Sequence, residues 1–175
     1  APIVRARACV VGLGVGELFV NGQRVGEDLL DPPWTHFGKR IHYAVHDIAP
    51  HLRAGENVVG IALGNGWYNP LPLKMWGHLD LRRHLTVGAP RALAIVEVEY
   101  EDGGREQVVT DGSWRWSDGP VLRDSLYLGE VHDARREPLG WSAPGFDASS
   151  WRPARTMPSP GGALEARPVP PVRCV

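Results

Sequence analysis

Polar and apolar positions alternate with period two along much of the chain. Near the start, Val4, Ala6, Ala8 and Val10 share one parity and Arg5 and Arg7 take the other, as expected of a strand with one buried face. The segment Glu17 to Val25, ELFVNGQRV, reads as a hairpin, because Asn21-Gly22 supplies the positive φ values of a type I′ turn between two strand-like arms. A second hairpin, IVEVEYEDGGREQVVT, is closed by Asp102-Gly103-Gly104. Further strands are predicted at Arg40 to Val45, Asn57 to Leu63, Ala92 to Tyr100, Glu106 to Thr110, Trp114 to Ser117 and Ser125 to Glu130. Helical periodicity is scarce. It is confined to one short turn at Asp47 to Arg53 and another at Phe146 to Trp151, the latter with Asp147 as its cap. Many short strands without interposed helices predict an all-β fold, an antiparallel β-sandwich of jelly-roll type with one or two helical turns.

A chain of 175 residues, 43% of them hydrophobic, suits one domain with a single core. The alternating pattern ends near Arg155, after which TMPSPGGALEARPVPPVRCV is dense in Pro and Gly. The expected division is a sandwich over residues 1–155 and a linker or extended strap to a following domain over 156–175. The chain also opens inside a strand pattern, as a segment of a longer polypeptide would. A net charge of -1 supplies no basic field for nucleic acid or an anionic membrane, and no run of about 18 apolar residues suggests a spanning helix. Neutral molecules or another part of a longer chain are the expected partners. Cys9 lies in an alternating run and Cys174 in the tail, which is neither a metal spacing nor a disulfide framework.

Candidate chemistry concentrates in GNGWYNPLPLKMWG, Gly64 to Gly77. Pro70 and Pro72 exclude a central strand there, and the density of aromatic and amide side chains makes it a shaped loop. Trp67, Tyr68 and Trp76 offer planes for the C–H face of a sugar ring, and Asn65 and Asn69 offer hydrogen bonds to its hydroxyls. The same aromatics are equally suited to pinning a long connection to the core. Loop oxygens of Asp31, Asn65, Asn69 and Asp80 are hard donors of the kind calcium takes, although no densely acidic loop accompanies them. His42 and His46 fall in a strand pattern without a third ligand at a zinc interval. VVGLGVGE departs from a dinucleotide fingerprint, with Glu17 where the third glycine belongs and a hairpin where a helix belongs. Its glycines instead suit a bulge or tight bend. Glu130 and Asp133 are the best-spaced carboxylate pair for acid and base work, but Arg135 and Arg136 are placed to keep them ionised. No G-x-S-x-G elbow occurs, and Ser149-Ser150 lies in a polar turn. No catalytic constellation emerges.

Taken in order, GELFVNGQRVG, LLDPPWTHFGKRIHY, DIAPHLRAGENVVGIALGNGWYN, VEYEDG with VVTDGSWR, YLGEVHDARRE and GWSAPGFDASSWRPA resemble the N-terminal domain of bacterial α-L-rhamnosidases, glycoside hydrolase family 78. The hairpin with L-x-x-G-x-N is shared with other sugar-binding jelly rolls. The combination of L-G-N-G-W-Y with Y-x-G-E-x-x-D-A-R is more specific. The resemblance implies a galactose-binding-like jelly roll that is a non-catalytic accessory domain. Its parent would hydrolyse terminal α-L-rhamnosyl residues with inversion, using acidic residues of a separate (α/α)6 barrel in the same polypeptide. Two roles follow. The domain binds a rhamnose-containing glycan through Asn65, Trp67, Tyr68, Asn69 and Trp76, calcium assisting, or it docks on the barrel and shapes its cleft. The sequence departs from the family where Trp34-Thr35 continues into His36-Phe37 in place of an acidic residue, and where NPLPLKMWG follows Trp67-Tyr68.

Overall fold

The structure, a computed structural model, describes residues 1–71, 74–75, 77–170 and 172–173. Strand β1 (Ile3–Leu13) is the spine of a five-stranded sheet, with β4 (Arg40–Asp47) on one side and β8 (Arg91–Tyr100) on the other, both antiparallel. Strand β9 (Arg105–Val109) extends the sheet beyond β8. A three-stranded sheet of β2 (Val15–Val20), β3 (Gln23–Arg24) and β5 (Val59–Gly64) forms the second layer. The all-β, largely antiparallel sandwich expected from the alternation is the observed architecture.

Period two decides which residues meet. Ala6, Ala8 and Val10 of β1 face Leu18 and Val20 of β2, and Val25, Ile48, Ala94, Val96 and Val98 complete that core. Residues of opposite parity on β1, Val11 and Leu13, project from the other face of the sheet into a smaller cluster with Phe37, Ile41 and Tyr68. Gly14, at φ 113, makes the corner by which the chain leaves one sheet and enters the other. A Cβ on Gly14 would lie 2.1 Å from the Gly64 carbonyl oxygen, and one on Gly66 would lie 2.7 Å from the Gly14 backbone. The glycines of VVGLGVGE and of GNG therefore serve one close backbone crossing.

The Asn21-Gly22 turn has φ values of 51° and 82°, the type I′ signature. Its Asn21 amide donates to the His51 carbonyl and to Asn57 Oδ1, and its Oδ1 accepts from the Val58 amide. Asn57 in turn closes the loop from Arg53 to Gly55. The V-N-G hairpin and the L-x-x-G-x-N segment are thus two halves of one hydrogen-bonded joint. A 3₁₀ turn at Ala49–His51, with Asp47 Oδ1 accepting from Ala49 N, occupies the first predicted helical turn.

Several expectations need correction. Residues 146–151 form no helix; Asp147 caps only an Asx turn, accepting from Ser149 N. The strand expected from Ser125 to Glu130 is instead a hairpin of β11 (Val121–Ser125) and β12 (Gly129–His132), turning through Leu126, Tyr127 and Leu128. Gly129, at φ 71, supplies the turn's special conformation. The strand predicted at Trp114 to Ser117 shortens to β10 (Arg115–Trp116), paired with β13 (Arg152–Pro153). Two further short strands, β6 (Lys74–Met75) and β7 (Leu79–Asp80), pair with each other and lead into a single helical turn, α1 (Leu81–His84).

Beyond residue 155 the chain is laid along the sandwich. Strand β14 (Ala163–Ala166) pairs in parallel with β4 at the edge of the large sheet. Just past it, Arg167 donates to Asp28 at 2.8 Å and to Asp31 at 2.6 Å, and Leu29 pairs with Val172. Among the described residues no helix is long and apolar enough to cross a membrane.

Candidate functional site

The loop after β5 is built from a buried anchor, a polar chain and an aromatic face. Tyr68 is the anchor. It is 2% exposed, packs edge-on to Phe37 at 5.2 Å and has the Arg91 guanidinium over its ring. The Gly88 amide donates to the Tyr68 carbonyl, and a Cβ at Gly88 would come within 2.8 Å of the Tyr68 hydroxyl. Tyr68, nominated as a sugar platform, therefore has its ring closed to solvent. Its role in this domain is to hold the loop on the outer face of the large sheet.

The polar chain runs from β11 to α1. Asp124, at the end of β11, accepts from the Asn65 backbone N–H at 2.9 Å and from the Asn65 side-chain amide at 2.5 Å. Asn65 Oδ1 accepts from Asn69, and Asn69 Oδ1 accepts from the Arg82 guanidinium, which also donates to the Pro70 carbonyl. The two asparagines are brought together, as the sugar reading requires, but much of their hydrogen-bonding capacity goes into shaping the loop. Asp80 ends the chain, its Oδ1 accepting from Arg82 N while Oδ2 lies 3.4 Å from Arg83.

The calcium candidates do not fit that ion. Asp31 lies against Arg167, away from the others, and the oxygens of Asn65, Asn69 and Asp80 are each committed to an amide or an arginine. Among the described residues no three His, Cys, Asp or Glu side chains converge as a metal set. A guanidinium at the centre of the loop supplies the positive charge that a cation would.

Trp67 is half-buried and carries the aromatic face. Trp34 lies 5.4 Å from it and Tyr127 meets it edge-on at 5.7 Å. Both neighbours are about half exposed, at 53% and 52%, and Leu126 and Leu128 of the same turn are exposed beside Tyr127. The crevice between loop and turn, lined by Trp67, Pro70, Leu71 and Tyr127 among others, is only about 10 Å³. That is room for about one water molecule, far short of a sugar ring. Trp76, the remaining nominated aromatic, lies outside the described residues, as does Cys174.

Trp34, Asp124, Tyr127 and Arg82 escape a reading of the sequence because they join the loop from distant parts of the chain. The Asn65 to Asp124 bond has no local sequence signal. Trp34, after two prolines, is flagged only as a corner.

The carboxylate pair is not arranged for acid and base work. Asp133 takes two hydrogen bonds from the Arg135 guanidinium, each 2.8 Å, and a third from the Arg135 backbone. Those bonds hold its carboxyl below the usual range, which keeps it ionised. Glu130 is exposed on β12, opposite Asp124.

The sequence matches the family described as the alpha-L-rhamnosidase N-terminal domain over residues 1–175. It is 38% identical over 153 residues to an alpha-L-rhamnosidase of Streptomyces avermitilis, a match covering 87% of this chain and 14% of that protein. It is 32% identical over 168 residues to an alpha-L-rhamnosidase of Formosa agariphila, covering 96% and 18%. Among solved structures, the Streptomyces avermitilis alpha-L-rhamnosidase complexed with L-rhamnose superposes with a TM-score of 0.88 at 35% identity, over 99% of this chain and 16% of that one. The alpha-L-rhamnosidase of Dictyoglumus thermophilum superposes with a TM-score of 0.84 at 41% identity, over 98% and 18%. The chain thus spans less than a fifth of each relative, always with the same sandwich, and it belongs to the N-terminal domain family of glycoside hydrolase family 78 α-L-rhamnosidases.

Proposed function

We propose that this sandwich is a non-catalytic accessory domain of an inverting α-L-rhamnosidase, and that its Trp34–Trp67–Tyr127 face docks on the catalytic domain of the same polypeptide. The observation that carries the reading is the hairpin β11–β12. It is a two-stranded ribbon outside both sheets, with Val121, Leu122, Leu126, Tyr127, Leu128 and Val131 all exposed. An isolated two-stranded hairpin is marginal in water, and exposed apolar residues gathered on one turn, Leu126, Tyr127 and Leu128, mark a place for a partner. Relatives are more than five times longer than the match, so the greater part of a related polypeptide is on hand to cover it. The catalytic acids belong to that remainder.

Hydrogen exchange on the full-length protein tests this. Amides of residues 121–132 should exchange slowly, and Leu128→Glu should release that protection while the β1 and β8 amides keep theirs. Exchange of 121–132 at the rate of an uncovered hairpin would rule docking out.

A second reading, contact with a rhamnose-containing glycan at Asn65, Trp67 and Asn69, is favoured by the half-buried indole of Trp67 beside two asparagines. The Streptomyces avermitilis relative was solved with L-rhamnose. Titration with L-rhamnose, with and without calcium, decides it: the reading requires a heat or chemical-shift change that Trp67→Ala abolishes.

A further inference from the structure

We propose that the cleft over Trp116 is a second carbohydrate site, shaped for a sugar ring that bears a carboxylate. It lies on the β10–β13 ribbon, apart from the Trp67 face. Trp116 pairs with Arg152 across the ribbon, and Trp116, Arg152, Pro153 and Arg155 line an open cleft of about 370 Å³. Small-molecule sites begin at about 300 Å³.

The lining defines the ligand class. The Arg152 guanidinium sits 3.7 Å above the Trp116 ring, and its Nη2 donates to Asp118 Oδ2 at 2.6 Å. The indole and Asp118 fix that guanidinium at the cleft wall, with only one of its hydrogen bonds formed among the described residues. Arg155 has no hydrogen-bond or ion-pair partner among the described residues. Two guanidiniums line the cleft and the one carboxylate beside it is already engaged by Arg152, giving the cleft a positive excess in a chain of net charge -1. The polar side chains that line it are donors alone, with the Asp118 carboxylate outside the lining. A carboxylate matches the forked geometry of arginine and accepts without donating. The part of the indole that Arg152 leaves uncovered and the Pro153 ring supply the apolar side, against which a sugar's C–H groups pack. The ribbon's two strands are tied further, with the Ala154 amide donating to the Trp114 carbonyl and Arg115 donating to the Trp151 carbonyl.

That the anion is carried by a sugar rests on the glycoside hydrolase reading, and the test separates the two. The full-length protein is titrated at low salt with D-glucuronate, D-glucose and acetate, followed by calorimetry. Glucuronate should saturate at about millimolar concentration, with glucose silent and acetate about tenfold weaker. Arg155→Gln should weaken glucuronate about fivefold and Trp116→Ala should abolish it, with melting temperature and turnover of a neutral rhamnoside unchanged. No response at about 50 mM glucuronate, an equal response to glucose, or a response indifferent to both substitutions overturns the site. Arg155→Gln decides alone if Trp116→Ala shifts the melt. A wild-type protein that binds glucuronate but turns over no rhamnoside would sink the parent activity and leave the site standing.

Discussion

Two regions of this chain treat apolar residues in opposite ways. Every buried hydrophobic residue among those described lies between Ala6 and Val98. The stretch from Asp111 to Pro153 contributes none, although it carries Val121, Leu122, Leu126, Tyr127, Leu128 and Val131 and leaves all six exposed. The first region closes around its own core. The second consists of two-stranded ribbons pinned to that core at isolated points. One point is Trp141, stacked against Gly60 of β5 so tightly that a Cβ there would sit 2.4 Å from the indole, beside Phe19, the register partner of Gly60. An aromatic ring laid over a strand glycine covers backbone that no side chain protects. The lesson is that one chain holds a folding unit and a presentation unit, and that only the first is complete by itself.

The sharpest test sets one tyrosine from each region against the other. Tyr68→Ala empties a closed aromatic site and should cost about 3 to 5 kcal/mol in denaturant unfolding. Tyr127→Ala, on the exposed turn, should stay within about 0.5 kcal/mol in the chain by itself. Comparable losses would show that the ribbon is part of the cooperative core after all.

The tail blurs the comparison in an instructive way. Arg167 follows an exposed edge strand, yet its guanidinium is pinned between Asp28 and Asp31, whose side chains are only 10% and 9% exposed. Burial works against the guanidinium's charge, but the two aspartates outweigh it and raise its pKa. Arg167→Met leaves two nearly buried carboxylates without their shared cation, a loss of about 3 kcal/mol by analogy with broken buried pairs. Asp28→Asn in the same background should recover part of it. The ribbon's counterpart, Arg135→Met beside Asp133, should be silent in the same melt, since the Arg135 side chain is 89% exposed. A silent Arg167→Met would mean that the tail is not fastened there.

How far each region could be read in advance follows the same divide. Alternation from Val4 to Val10 predicted the spine strand, and Asn21-Gly22 predicted the turn of the following hairpin, because both signals are local. Local rules failed at Leu126-Tyr127-Leu128, where three apolar residues disguise a turn as a strand. They left Ala163–Ala166 undecided, since its parallel pairing with β4 depends on a partner far away in sequence. Trp67 could be nominated from its loop. Its neighbours Trp34 and Tyr127 could not, because only the closed fold brings them within ring contact. Tyr68, offered with it as a platform, shows that a Trp-Tyr pair in a glycine-rich loop does not say which ring faces inward.

The smallest expected effect is a dependence on pH between 7 and 5, carried by a histidine of the closed region. His46, on β4, packs beside Gly26 and is faced by Asp28, Asp31 and Arg167. Burial is the largest influence on it and lowers its pKa from 6.5; the two aspartates oppose that shift and Arg167 adds to it. A histidine whose folded pKa is depressed takes up its proton more readily when unfolded. Its contribution to stability is therefore present above pH 6.5 and is lost as pH falls from there through the folded value. The melting temperature should drop between pH 7 and pH 5, and His46→Gln should flatten that drop. A slope unaltered in His46→Gln would place the acid-sensitive contact away from β4 and break the link drawn between burial in the closed region and sensitivity to acid.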